Sequence, residues 1–96
     1  MNMKRAKFAL GQIVATHGAI DLMKMSNIDG LALLQRHITG DWGDLNEGDK
    51  KENNLSVQKG YRILSVYGRG KERLWIITEF DRSVTTILRL DEARGS

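Results

Sequence analysis

The residue types in this chain best suited to chemistry fall in two short clusters. The first is Arg36-His37, followed by Gly40-Asp41-Trp42-Gly43-Asp44-Leu45. An imidazole whose ordinary pKa lies near neutrality, with a carboxylate to orient it, is what general acid–base catalysis uses. His37 with Asp41 or Asp44 is therefore one candidate site. The same residues also fit a capped helix end and a glycine-flanked turn, with Trp42 plugging the edge of a core and Asp44 capping the next helix. The second cluster is Glu79, Asp81, Arg82 and Ser83. Asp and Ser are ordinary turn formers, but no turn demands an arginine. Arg82 could pair with Asp41 or Asp44 and pin the turn to the loop. Alternatively, its guanidinium could take a phosphate or carboxylate bidentately. The candidate binding residues are thus Arg36, His37, Asp41, Trp42, Asp44 and Arg82.

Other chemistries are excluded or weak. With no cysteine there is no disulfide framework, thiolate metal site or cysteine nucleophile. Asp41, Asp44, Glu47 and Asp49 are acidic, but they lack the regular alternation of a calcium loop, and counted from Asp44 the place of its closing Glu holds Leu55. Gly68-Arg69-Gly70-Lys71 joins two strands and lacks the helix that binds a phosphate in a glycine-rich loop. His17 suits the first turn of a helix better than a ligand role. No cofactor or metal is implied.

The elements that must position these residues are legible from period and caps. Phe8 to Ala15 alternates loosely and predicts a strand. Thr16 can N-cap a helix carrying Ala19, Ile20, Leu22, Met23 and Met25. Ser26 or Asn27 breaks that helix and can cap a second, in which Ile28, Leu31, Leu33 and Leu34 form a stripe. Asp29 falls in its first turn, Arg36-His37 in its last, and Gly40 ends it. Asp44 or Asn46 can cap a third, polar helix through Lys50-Lys51-Glu52-Asn53. From Tyr61 the period becomes two, predicting strands over 61–67, 74–80 and 84–90 with turns at Gly68-Arg69-Gly70-Lys71 and Asp81-Arg82-Ser83. A tight closure at Asp81-Arg82 sets Thr78 across from Thr85 and Trp75 across from Leu88. Trp75, Ile77, Val84, Thr86 and Leu88 then share one face, the expected seat of the helices.

This order predicts a single α+β domain over 1–96: two to three short helices on an antiparallel sheet of three to four strands, ending in a β-meander. The 96 residues bury a small core. The chain is 41% hydrophobic and 28% charged, an ordinary globular balance. Its apolar runs are too short to span a membrane, and no signal core follows the basic N-terminus. A cytoplasmic protein is expected. The net charge of +3 permits nucleic-acid contact without demanding it.

Several motifs together resemble a family of small uncharacterised proteins encoded on bacterial plasmids and other mobile elements, often labelled plasmid-related protein. They are Leu10-Gly11 with Val14-Ala15-Thr16 and Gly18-Ala19, Arg36-His37 with Gly40-Asp41-Trp42-Gly43-Asp44, and Asp49 with Asn53. Gly60 with Arg62-Ile63-Leu64-Ser65 and Tyr67 continues the match. So does Trp75-Ile76-Ile77-Thr78-Glu79 with Asp81-Arg82-Ser83 and Thr85-Thr86. The chain departs at His17, where the family usually has proline, and at Arg89-Leu90-Asp91-Glu92-Ala93-Arg94, which replaces a proline-and-tyrosine ending. The resemblance implies a plasmid or integron gene and no particular reaction.

Two functions from different classes follow. The first is a non-enzymatic interaction module that could form a homodimer, with Tyr61, Tyr67 and Phe80 on the sheet face away from the helices as a contact surface. A protein partner suits it better than nucleic acid. The second is a metal-independent ribonuclease-like protein using His37, Arg62, Arg82 and Thr85. It requires His37, Arg62 and Arg82 to converge in one open cleft. A weaker variant of the second is backbone binding to nucleic acid through Arg62, Arg69, Lys71, Arg73 and Arg89, with Tyr61 and Tyr67 stacking on bases.

Overall fold

The computed structural model describes residues 5–89. The chain runs β1 (Gln12–Ala15), α1 (His17–Met25), α2 (Gly30–Ile38), α3 (Glu47–Lys59), β2 (Ile63–Tyr67), a single 3-10 turn (Gly70–Glu72), β3 (Leu74–Thr78) and β4 (Val84–Arg89). Three helices and one four-stranded sheet make an α+β fold. None of the described helices is long and apolar enough to cross a membrane.

Short polar side chains set the helix starts. Thr16 accepts from the Ala19 amide to cap α1, and Asp29 accepts from the Leu31 amide to cap α2. Asp29 is thus the cap and not a first-turn residue, while Ser26 closes α1 from behind. Asn46, not Asp44, caps α3 through the Asp49 amide. The left-handed Gly60 ends α3, its amide donating to the Ser56 carbonyl. These two caps hold a helix whose sequence has almost no apolar stripe.

The sheet order is β1-β4-β3-β2. β2, β3 and β4 form the expected meander, with Thr78 opposite Thr85 and Trp75 opposite Leu88. The sheet is mixed, however, and not purely antiparallel. β1 runs parallel to β4, Gln12 beside Val84 and Ala15 beside Ile87. The three helices between β1 and β2 form the long connection that lets the N-terminal strand return in this direction.

The helices lie on the face opposite to the one expected. Ala19, Leu22, Leu33 and Leu34 form the core with Tyr67, Leu74, Ile76 and Ile87. Trp75, Ile77, Val84, Thr86 and Leu88 do share a face, as the register requires, but it lies outside that core and stays half-exposed. Tyr67 is on the helix side and only 3% exposed. Tyr61 and Phe80 are exposed but lie outside the strands. The helix side won because its polar positions satisfy one another.

The outer edge of β2 is closed. The Val66 amide donates to the Trp42 carbonyl, and the Asp44 amide donates to the Val66 carbonyl, so Gly43 lies beside Val66 as a parallel bridge. Gly43 has a positive φ, and a Cβ there would collide with the Val66 carbonyl. Further along, the Asn53 carboxamide both accepts from the Leu64 amide, at 3.1 Å, and donates to its carbonyl. A side chain of α3 thus completes the ladder where the backbone stops.

Candidate functional site

His37 ends the last full turn of α2 and is fully buried. Its ring lies edge-on to Phe8, centroids 5.1 Å apart, and edge-on to Trp42 at 6.0 Å. Nδ1 lies 2.5 Å from Ser65 Oγ of β2, and Nε2 lies 2.9 Å from Thr78 Oγ1 of β3. Thr78 Oγ1 in turn meets Thr85 Oγ1 of β4 at 2.8 Å, and Thr85 donates to the Leu10 carbonyl at 2.7 Å.

The last acceptor orders every hydrogen in this series. A carbonyl cannot donate, so the Thr85 hydrogen goes to Leu10. The contact between the threonines must then use the Thr78 hydrogen, which leaves the Thr78 oxygen to accept from His37 Nε2–H. The remaining ring nitrogen, Nδ1, accepts from Ser65. The ring is therefore neutral and carries its proton on Nε2. Burial pushes its pKa down to about 4, because a charged imidazolium would lose its hydration with no carboxylate beside it.

Neither expected carboxylate reaches His37. Asp41 holds Arg36 bidentately, 2.7 Å from Nε and 3.3 Å from Nη2. It also accepts from the Gly43 amide. The Arg36 guanidinium lies over the Tyr67 ring, 4.5 Å from its centroid, and the Tyr67 hydroxyl donates to the Asp41 carbonyl. Burial raises the Tyr67 pKa to about 12. Asp44 accepts from the Gly68 amide and ties the loop to the first hairpin turn. Trp42 is 3% exposed and does plug the core edge, its Nε1–H donating to Asn54 Oδ1.

Arg82 pairs with neither Asp41 nor Asp44. Its guanidinium donates to three backbone carbonyls: Tyr61 at 2.6 Å, Glu79 at 3.1 Å and Ser56 at 2.9 Å. It also lies over the Phe8 ring. Ser56 and Tyr61 flank the C-terminal end of α3, where the negative end of the helix dipole favours a cation; the Ser56 carbonyl also accepts from the Gly60 and Tyr61 amides. Arg82 takes a positive φ of 61° to reach them. Asp81 accepts from both the amide and hydroxyl of Ser83, and these bonds lower its pKa.

The nuclease candidates therefore do not converge. His37 and Thr85 are joined through Thr78, but both are fully buried. Arg82 spends its guanidinium on three backbone carbonyls and the Phe8 ring, not on His37. Arg62 is 64% exposed and lies 3.5 Å from Glu79. A shallow depression is lined by Ile28, Leu33, Arg36, Tyr67, Glu72 and Leu74. Its charges are already engaged, Arg36 by Asp41 and Glu72 by the Ser26 hydroxyl. Among the described residues no group of three His, Asp or Glu side chains is placed to hold a metal. With Tyr67 buried, the two tyrosines offer no shared base-stacking platform.

Sequence reasoning missed Ser65, Thr78 and Asn53. A signal for one was present, since Thr78 opposite Thr85 in a buried register asks for a polar partner above the sheet. Nothing local marked Asn53, whose role depends on where α3 docks. No family model, curated protein or solved structure matches the chain.

Proposed function

We propose that this chain is a small non-catalytic interaction protein whose contact surface is the half-exposed face of its sheet, and whose partner is a protein. One observation carries the reading. Leu64 neighbours Ile77, and Trp75 neighbours Leu88, forming a half-buried apolar patch outside the helix-covered core; Val66, beside Trp75, is already buried. A sheet with two apolar faces and helices on only one side leaves surface of the kind that binds partners. Trp75 Nε1 is shielded yet has no acceptor among the described residues. The groups that catalysis would recruit, His37, Thr85 and Arg82, are instead occupied in holding the fold. On the resemblance alone, we place the chain among small products of plasmid or integron genes. The absence of cysteine suits a cytoplasmic setting.

The test is photo-crosslinking in cells from a benzophenone side chain replacing Ile77. The expected result is a discrete protein adduct that disappears when Trp75→Lys is added. Purified protein is also incubated with end-labelled RNA and DNA at two salt concentrations. Cleavage lost in His37→Ala would replace this reading with the nuclease one. A salt-sensitive shift without cleavage would replace it with backbone binding.

A further inference from the structure

The two edges of the sheet are built differently. The β2 edge is closed by the Gly43 bridge and the Asn53 carboxamide. The β1 edge has no such cover among the described residues. The Gln12 amide donates to the Ser83 carbonyl and the Thr16 amide to the Ile87 carbonyl. In a parallel ladder only alternate residues face the neighbour, so the N–H and C=O groups of Ile13 and Ala15 point away from β4.

Natural edge strands are usually blunted by lysine, proline, a bulge or an inward charge. Residues Gly11-Gln12-Ile13-Val14-Ala15-Thr16 contain none of these residue types and no charge at all. Ile13 is 49% exposed on the helix side of the strand and Val14 40% exposed on the other, with Ile20 of α1 37% exposed. This is an uncharged, largely apolar strand presenting hydrogen-bonding groups that no described residue takes up.

We propose that the β1 edge pairs with the β1 edge of a second copy of this chain, antiparallel about a twofold axis through Val14. The occupant follows from complementarity. An antiparallel copy presents the same alternation of donors and acceptors, so Ile13 of each copy bonds Ala15 of the other. The join makes about four backbone hydrogen bonds. Self-pairing of a neutral strand sets no like charges opposite one another, which a charged edge could not avoid. The sheet becomes eight-stranded, and the two half-exposed faces become one surface. The assignment names a partner under the interaction reading above and rests on that reading for its biological sense.

The test uses the full chain. Sedimentation from micromolar to millimolar protein is expected to show a monomer–dimer equilibrium. Ile13→Pro removes an outward-facing N–H and is expected to weaken the dimer about tenfold or more. Ile13→Lys, which keeps the backbone donor and adds a charge at an exposed site, is expected to do the same with an unchanged circular dichroism spectrum. Should Ile13→Pro fail to fold, Ile13→Lys decides. Val14→Cys gives a direct reading, because the chain has no other thiol. Opposed Val14 residues would form a non-hydrogen-bonded pair with Cα atoms about 4.5 Å apart, within disulfide reach. Val14→Cys is therefore expected to oxidise rapidly to a covalent dimer, and Phe80→Cys at another exposed site is not. A monomer at every concentration would overturn the proposal. So would a dimer that survives Ile13→Lys and leaves Val14→Cys unlinked. In either case the crosslinking from position 77 still stands or falls separately, so failure of the second-copy assignment is distinguishable from failure of the interaction reading.

Discussion

At the scale of the residue, His37 shows how a side chain with catalytic potential becomes structural. Its two nitrogens are satisfied by Ser65 and Thr78, so removing a neighbour leaves a buried polar atom alone. Thr78→Val keeps the shape but removes the hydroxyl between His37 and Thr85, and is expected to cost about 1–3 kcal/mol. A fall in the urea midpoint at unchanged slope would check it. The same ring makes stability depend on pH. Folded, its pKa sits at about 4; unfolded, it returns to the ordinary imidazole value of 6.5. The unfolded state therefore binds the extra proton first. The contribution is whole above pH 6.5 and falls as pH drops toward 4, by about 3 kcal/mol in all. His37→Gln is expected to flatten that window, as urea midpoints at pH 7 and pH 4.5 would show. Arg82→Lys tests the other cluster. An ammonium cannot serve Ser56, Tyr61 and Glu79 in one plane, so a loss of about 1–2 kcal/mol is expected in the same assay.

At the scale of the element, a helix with little apolar surface is held by its caps and by polar contacts, the Asn53 and Asn54 carboxamides and the Ser56 carbonyl among them. Asn53 completes the β2 ladder, so Asn53→Leu is expected both to destabilise the chain, by about 1–3 kcal/mol, and to bare a strand edge. Light scattering at rising concentration would register the second effect as association absent from the native protein. The same elements show what the sequence could disclose. The strand register was legible because Asp81-Arg82-Ser83 fixes the closure and Thr78 then meets Thr85. The Thr16 cap was legible because a hydroxyl before an apolar stripe has few other roles. Which face of the sheet takes the helices was not legible. Hydrophobicity favours Trp75, Ile77 and Leu88, whereas the buried face carries Ser65, Thr78 and Thr85. Those hydroxyls can be buried only because His37 arrives from α2 to join them, a tertiary fact that no strand records. The direction of β1 was hidden for a related reason, since periodicity reports a strand but not its sense.

At the scale of the whole molecule, the parallel pairing of β1 with β4 joins the two ends of the described chain, from Gln12 to Val84. Closing so long a loop slows folding relative to a meander alone. The chain nevertheless has no proline, so a phase of tens of seconds from peptide-bond isomerisation is not expected. Double-jump refolding, with varied delay in the unfolded state, should give the same kinetics at every delay. The covered edge of β2 has one further consequence. A subunit with two open edges can add copies without limit and grow into a filament. A subunit with one open edge cannot, because each join consumes the only free end on both sides. Under the proposed pairing of β1 edges, stopping the ladder at Gly43 and Asn53 limits the assembly to two copies.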